Sequence, residues 1–253
     1  MTGSPALRTI AFGDLEGTMW GAGWFSGATG SGLTMFGGAD MGAAVVADGP
    51  AEGHDVAGDW RLDGAASLVV APTAEAVPVQ ADQDHIEGYD QLCRVTGRLA
   101  LDGGELEVDC LGVRTWFPGP IDLDRYESIR TVSTWFEPDE AIAVTAFRAR
   151  KAKAHDSDAV AGAVIGPERS TPAEDSRLST TYEAEGWPVR AGLELWLPSP
   201  EDSDQQFPRR ASGEAAGARA EAQTPTLELR AERFRWHSRG RDGAGMYILA
   251  RRR

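Results

Sequence analysis

Alternating apolar and polar positions are clearest in residues 89–116, YDQLCRVTGRLALDGGELEVDCLGVRTW. The alternation runs on both sides of a central Asp-Gly-Gly and has the period of two that is typical of a half-buried β-strand. Asp-Gly and Gly-Gly pairs tolerate the positive φ angles of tight hairpin turns. The pattern therefore predicts a long β-hairpin that turns at Gly103 and Gly104.

The position of this turn also predicts which residues face each other. Arg98 would face Asp109 on the outer surface as an ion pair. On the buried surface Arg114 would face Cys93, and Trp116 follows two positions later. An arginine and a tryptophan that point inward near the end of a hairpin indicate the mouth of a cavity.

The two cysteines, Cys93 and Cys110, lie on the buried surface of the predicted hairpin. About four ladder positions separate them, roughly 13 Å at the rise of a strand. Cα atoms joined by a disulfide lie within about 7 Å of each other. The sequence therefore predicts two buried free thiols in a reducing compartment.

The other segments show strand patterns as well, and none has the periodicity of a helix. Residues 117–120, FPGP, carry two prolines and a glycine, which cannot continue a central strand. We therefore predict an N-terminal module of residues 1–118 and a C-terminal module of residues 119–253. An R-x-x-G segment followed by a Leu-Glu strand recurs weakly in both halves, with chance similarity as the alternative explanation. In residues 226–237 the apolar phase changes between Ala231 and Phe234, which predicts a β-bulge.

The run RVTGRLALDGGELEVDCLGVRTW, followed by a second β half that ends in GRDGAGMY, resembles the lipocalin-like proteins related to carotenoid hydratase (hydroxyneurosporene synthase). This resemblance implies an all-β fold, a lipocalin-like antiparallel β-barrel or sandwich with two related modules in tandem around an apolar cavity. Members with known chemistry add water to, or rearrange, long unsaturated substrates by acid catalysis without a cofactor.

One turn of the chain departs from that family. Where its hydratases carry acidic and imidazole groups after the glycine, this chain has Gly112-Val113-Arg114-Thr115-Trp116. Arg114 places a permanent cation there, which could hold a carboxylate or phenolate oxygen of a ligand. The resemblance therefore implies the architecture of the family rather than the hydration of carotenoids.

Composition narrows the function classes further. The chain has 253 residues, of which 42% are hydrophobic, and eight tryptophans, so it can bury a sizeable core. A net charge of −14 argues against a nucleic-acid partner. No signal peptide, membrane span, nucleotide loop or metal motif is recognisable, so we expect a cytoplasmic protein without a cofactor or metal, whose oligomeric state stays open.

Two kinds of residue could move protons. His237, at a strand end with Asp242 in the turn beyond, is the best candidate general acid or base; the alternative is a strand-end histidine bonded to a backbone carbonyl. Asp14 with Glu16, and Asp90, are the candidate acids, because burial beside tryptophan would raise the pKa of a carboxyl. Carboxylates at turns and strand edges are otherwise commonly solvated.

Aromatic residues beside glycines or strand ends are expected to line a cavity wall. They are Trp20, Trp24, Trp116, Trp135, Trp236 and Tyr247. Two hypotheses follow: cofactor-independent hydration, isomerisation or cyclisation of a hydrophobic, unsaturated, isoprenoid- or polyketide-like molecule, or non-catalytic carriage of such a ligand. Convergence of His237, Arg114 and one acid on a single enclosed pocket would favour catalysis.

Overall fold

A computed structural model describes residues 7–26, 31–38, 42–46, 58–62, 66–81, 86–101, 104–119, 121–153, 157–167, 170–198, 207–223 and 226–253. Within these ranges the regular elements are β-strands and one 3-10 helix, Leu123–Arg125. The predicted all-β class is confirmed. None of the described residues forms a helix that is long and apolar enough to cross a bilayer.

The N-terminal sheet contains nine described strands, all paired antiparallel. They are β1 (Leu7–Gly13), β2 (Met19–Ser26), β3 (Ser31–Gly38), β4 (Gly42–Val46), β5 (Trp60–Leu62), β6 (Ala66–Pro72), β7 (Val77–Ala81), β8 (Ile86–Leu101) and β9 (Gly104–Phe117). Their order is β4-β3-β2-β1-β9-β8-β6-β5, and β7 pairs with β8 beside β6. The long β8–β9 hairpin therefore lies at the centre of this sheet.

The C-terminal sheet also contains nine described strands with antiparallel pairing. They are β10 (Tyr126–Phe136), β11 (Glu140–Ala149), β12 (Ala159–Ile165), β13 (Thr171–Pro172), β14 (Asp175–Tyr182), β15 (Pro188–Trp196), β16 (Arg209–Gln223), β17 (Leu227–Ser238) and β18 (Arg241–Arg252). The order is β13-β12-β11-β10-β18-β17-β16-β15-β14, and the sheet curls so that β14 contacts β12. The predicted module boundary lies in the connection between the two sheets.

Three hydrophobic cores hold the two sheets. Each sheet encloses a core of its own, and a third core joins one face of the N-terminal sheet to one face of the C-terminal sheet. In this inter-sheet core, β11 and β12 contribute alanines such as Ala141, Ala143, Ala161 and Ala163. Small side chains let two sheet faces approach closely, which leaves the larger partners on the N-terminal side well packed.

The predicted register of the β8–β9 hairpin is wrong by two residues. Leu101 pairs with Gly104, so Gly104 belongs to strand β9 and not to the turn. Asp102 and Gly103 lie outside the described residues. Because the shift is even, every side chain keeps its predicted face. Arg114 now pairs with Gln91 instead of Cys93.

Two details of this hairpin change with the register. Asp109 binds Arg94, whose Nε lies 2.6 Å from Oδ1, and the predicted partner Arg98 lies opposite Glu107. Cys93 and Cys110 are buried and free, as predicted. They stand two ladder positions apart, since Cys110 pairs with Val95.

The predicted bulge in β17 is also wrong. Strands β17 and β18 pair without a register shift, whereas β16 carries the irregularity, between Ala215 and Arg219. The apolar phase of β17 changes because the strand buries different faces along its length. Ala231 faces the inter-sheet core, and Phe234 faces the core inside the C-terminal sheet.

Candidate functional site

Arg114 lies inside the N-terminal sheet and is 2% exposed. Its Nε and Nη2 donate to Gln91 Oε1 at 2.8 and 2.6 Å, and its Nη1 donates to the Gly58 carbonyl at 2.7 Å. The guanidinium also stacks 5.0 Å from the ring centroid of Trp60. The space between these residues and Trp116 is about 10 Å³, no more than one water needs. Arg114 therefore acts as a structural brace in a packed interior.

Asp90 lies on the other face of the same hairpin and is 1% exposed. It accepts a hydrogen bond from Thr115 Oγ1 at 2.6 Å. Burial raises the pKa of its carboxyl to about 7, and the bond from Thr115 offsets part of that rise. Asp90, one of the candidate acids, is thus fully buried and faces the inter-sheet core beside Leu92.

Asp14 and Glu16 lie in the loop between β1 and β2. The Asp14 carboxylate accepts the backbone N–H groups of Gly17 and Thr18 at 2.8 and 3.1 Å, which closes the loop. Arg233 of β17 donates to the carbonyl of Asp14 at 3.2 Å, so the loop docks on the C-terminal sheet. Glu16 is exposed. The contacts of Asp14 are those of a loop-stabilising residue.

The six predicted ligand-binding aromatics divide among three cores. Trp20, Trp24 and Trp135 lie in the inter-sheet core, where Trp135 Nε1 donates to the Gly13 carbonyl at 3.0 Å. Trp116 packs at the edge of the N-terminal core, and Trp236 and Tyr247 lie in the C-terminal core, each stacked on Phe234 at 5.7 Å. Both faces of these strands are buried, so aromatic residues near one another in sequence lie on different sides of a sheet.

A groove of about 1070 Å³ lies on the C-terminal sheet, and we call it the His237 groove. It is lined at one end by Arg130 and Asp158, then by residues of β14, β15 and β16, and by His237 of β17. A neighbouring groove of about 630 Å³ shares His237 as a wall. Neither groove is lined by Arg114, Asp14 or Asp90, so the structure does not bring these residues together with His237.

The floor of the His237 groove is a row of small residues. Cross-strand pairing aligns Ser179, Gly192, Ser212 and His237 across β14, β15, β16 and β17. Long charged side chains form the rows on either side: Arg177, Glu194 and Arg210, and Arg190, Glu214 and Arg235. A low floor between two charged rows makes a trough that ends at the imidazole.

His237 forms an acid–base pair with Asp242. Its Nδ1 lies 2.9 Å from Asp242 Oδ1, on the paired strand β18. A carboxylate that accepts from Nδ1 fixes the tautomer in which Nε2 can accept a proton. The side chain of His237 is 57% exposed, and the residue lines the groove. The arrangement is that of a general base, which becomes a general acid once protonated.

The far end of the groove contains an ion cluster that sequence reasoning missed. Asp158 binds Arg130 through Oδ2 and Arg148 through Oδ1, the latter at 3.0 Å. Arg130 lies on β10, Arg148 on β11 and Asp158 just before β12, so the pairing of three neighbouring strands brings them together. The one signal in the sequence was a charged residue, Arg130, at an inward position of an apolar strand. Among the described residues no group of three or more histidines, cysteines, aspartates or glutamates could hold a metal ion.

No family model and no curated protein sequence matches the chain. Solved structures do. CghA in complex with Sch210972 is 11% identical with a TM-score of 0.66, covering 99% of this chain and 89% of that one. A second CghA structure is 12% identical with a TM-score of 0.67, covering 99% and 88%. A candidate AttH protein from Nitrosomonas europaea is 10% identical with a TM-score of 0.64, covering 98% and 92%.

These similarities span nearly the whole chain, and at this level of identity they concern the fold alone. The related structures are tandem lipocalin-like proteins, so the predicted fold class is confirmed. The link to carotenoid hydratase in particular stays a prediction.

Proposed function

We propose that this protein binds a small organic molecule in the His237 groove and catalyses a cofactor-independent proton transfer on it. The observation that carries the proposal is the His237–Asp242 pair on the wall of a groove of about 1070 Å³. Small-molecule sites occupy roughly 300–1000 Å³ and combine an apolar wall with a few placed polar groups. The groove lies near the upper end of that range, and Leu178 and Val160 line it beside the polar residues.

His237 would exchange the proton. With Nδ1 held by Asp242, Nε2 removes a proton from one carbon or oxygen of the substrate and returns it at another position. A proton moved in this way shifts a double bond or closes a ring. In a hydration, protonated Nε2 would deliver a proton to one carbon of the double bond while the oxygen of a water molecule bonds to the other carbon and releases its proton to the imidazole. The substrate we propose is a hydrophobic, unsaturated molecule of isoprenoid or polyketide type that also carries polar groups.

Fold-level analogy supports a small organic ligand. CghA, which shares the fold, was crystallised with Sch210972. A shared fold is an associational argument and says nothing about which reaction the site performs. The reaction class is therefore argued from His237 and Asp242 and from the groove that they line.

A carrier is the second candidate function. Arg114, Asp14 and Asp90 do not line the grooves that His237 lines, so the predicted convergence of several titratable groups is not observed there. Carriage requires only the groove and its polar walls. The difference between the two candidates is therefore whether His237 is needed for turnover or only for binding.

Solvent deuterium separates these two candidates. Wild-type protein incubated in D2O with a lipophilic extract of its own host should convert at least one metabolite into a product that carries new deuterium. His237→Ala should lose this conversion by at least about a hundredfold, while native mass spectrometry finds the same ligand retained. Asp242→Asn, which disturbs the tautomer, should lose about tenfold or more.

Arg98→Gln serves as the matched control, because Arg98 is an exposed residue of the N-terminal sheet. It should convert metabolites as the wild type does. Conversion that survives in His237→Ala contradicts the proposal. Ligand retention by wild-type protein without any conversion supports the carrier.

A further inference from the structure

The His237 groove carries positive charge on an acidic protein. Among the described residues, five arginines and three carboxylates line it, whereas the whole chain has a net charge of −14. The arginines are Arg130, Arg148, Arg177, Arg210 and Arg239, and the carboxylates are Asp158, Asp175 and Glu194. A cleft with walls of one sign concentrates ligands of the opposite sign. The groove is therefore suited to an anion that the rest of the surface would repel.

The excess charge is most confined at the Asp158 end. Arg130 and Arg148 share the single carboxylate of Asp158, and the side chains of Arg130 and Asp158 are each 12% exposed. Arg148 also donates to the Lys153 carbonyl. Partly buried guanidinium groups need acceptors around them, because separating a charge from water is costly.

Two donors at this end have no partner among the described residues. Nε of Arg130 is buried and makes no hydrogen bond, although another nitrogen of the same guanidinium binds Asp158. Ser176, on β14, is 6% exposed, and its Oγ has no hydrogen-bond partner either. Both residues line the His237 groove. Buried donors are normally satisfied, so a pair of unused ones on one groove indicates a missing acceptor.

We propose that the missing acceptor is the carboxylate of the ligand, anchored by Arg130 and Ser176 while the rest of the molecule extends toward His237. This inference rests on the proposed function and adds the chemical class of the substrate, an organic acid. Ser176 and Arg130 face the inside of the C-terminal sheet, whereas Ser179 and His237 lie on its outer face, so the ligand would pass over the edge strand β14. Three strand spacings then separate β14 from β17, roughly 14 Å along the outer face. An unsaturated acid longer than this would place its carboxylate at Arg130 and a reacting carbon near the imidazole.

Guanidinium groups suit this role for a geometric reason. A carboxylate accepts two parallel N–H bonds from one guanidinium, and such charge-assisted bonds are about twice as strong as neutral ones. Nε and Nη2 of Arg130 form one such edge, and Nη2 already donates to Asp158, so Nε is the donor on this edge that remains for the ligand. The alternative is that Arg130 only forms an ion pair with Asp158 that joins β10 to β12. That role would not explain why Nε of Arg130 and Oγ of Ser176 are buried without hydrogen-bond partners.

A matched pair of fluorescent probes tests the anchor without knowledge of the natural ligand. 8-Anilinonaphthalene-1-sulfonate and N-phenyl-1-naphthylamine share their ring system, and only the first is an anion. Wild-type protein should bind the anionic probe at least about tenfold more tightly than the neutral one, as one charge-assisted hydrogen bond predicts. Dodecanoate should displace the anionic probe, and dodecanol should not.

Two variants locate the effect. Arg130→Lys keeps the charge beside Asp158 and removes the Nε donor, and Ser176→Ala removes only a hydroxyl. Each should weaken binding of the anionic probe by about three- to tenfold and leave the neutral probe unchanged. Arg98→Lys is the control, because Arg98 is an exposed, ion-paired arginine outside the groove.

The outcomes decide between the claims. Equal affinity of wild-type protein for both probes overturns the anchor, and so does unchanged anionic binding in both variants. If one variant fails to unfold cooperatively, the other variant decides; if both fail, displacement by dodecanoate but not by dodecanol decides. His237→Ala should retain the preference for the anionic probe, so a failure of the proton-transfer proposal leaves this result intact.

Discussion

Arg114 and Arg130 each lie on an inward face of one sheet, and they differ in how their donors are used. Arg114 donates hydrogen bonds from Nε, Nη1 and Nη2 to Gln91 and Gly58, and the free space beside it is about 10 Å³. Arg130 shares a carboxylate with Arg148 and leaves Nε unused beside a groove of about 1070 Å³. A buried arginine whose donors are all taken by neighbours braces the fold. One with a donor left over beside open space is equipped for recognition.

The contrast between Arg114 and Arg130 would be contradicted most directly if substitution of either arginine reduced the free energy of unfolding by the same amount. Arg114→Met leaves the oxygen of Gln91 and the carbonyl of Gly58 without their donor in a buried site, so we expect a loss of about 4 kcal/mol in the free energy of unfolding. Arg130→Met should lose less than about 1.5 kcal/mol, because Asp158 keeps Arg148 as a partner. Urea denaturation measures both changes.

Arg98→Met provides the baseline for that experiment, since the ion pair of Arg98 is exposed and long, at 3.8 Å. It should change the stability by less than about 0.5 kcal/mol. Equal destabilisation by Arg114→Met and Arg130→Met would show that both arginines are braces.

Asp90 extends the comparison to the other face of the N-terminal hairpin. Its pKa of about 7 in the folded state lies above the value of about 3.9 expected in the unfolded chain. The folded state therefore holds this proton more tightly, and the stability that this provides is present below about pH 4 and lost as the pH rises through 7.

Asp90→Asn should consequently stabilise the protein at about pH 8.5, by on the order of 3 kcal/mol, and change little near pH 4. Asparagine keeps an oxygen that can accept from Thr115 Oγ1. Asp109→Asn is the control with the same change in charge, on an exposed residue whose pKa Arg94 lowers, so it should give no gain at high pH. A stability difference between Asp90→Asn and wild type that does not vary with pH would contradict the assignment.

The sequence predicted the strands and their buried faces better than it predicted which residues contact each other. Alternation identified the β8–β9 hairpin, and an even error in register kept Arg114 on its inward face. It did not reveal that strands such as β17 bury both faces, so aromatics from three cores were assigned to one wall. Arg130 and Asp158 are 28 positions apart and meet through the pairing of β10, β11 and β12, which no local pattern encodes.

A substitution in the groove floor should change the stability least, and it tests most directly where the ligand binds. Ser212 is an exposed residue in the middle of the small-residue row, between Gly192 and His237. Ser212→Phe would fill the trough, so binding of the anionic naphthalene probe should fall about tenfold or more, whereas the free energy of unfolding should stay within about 0.5 kcal/mol. Thr96→Phe makes the same kind of change at an exposed strand position of the N-terminal sheet and should leave the probe bound. If Ser212→Phe binds the probe as the wild type does, the ligand does not lie along this row. The C-terminal sheet would then no longer differ from the N-terminal sheet by a ligand site at this groove.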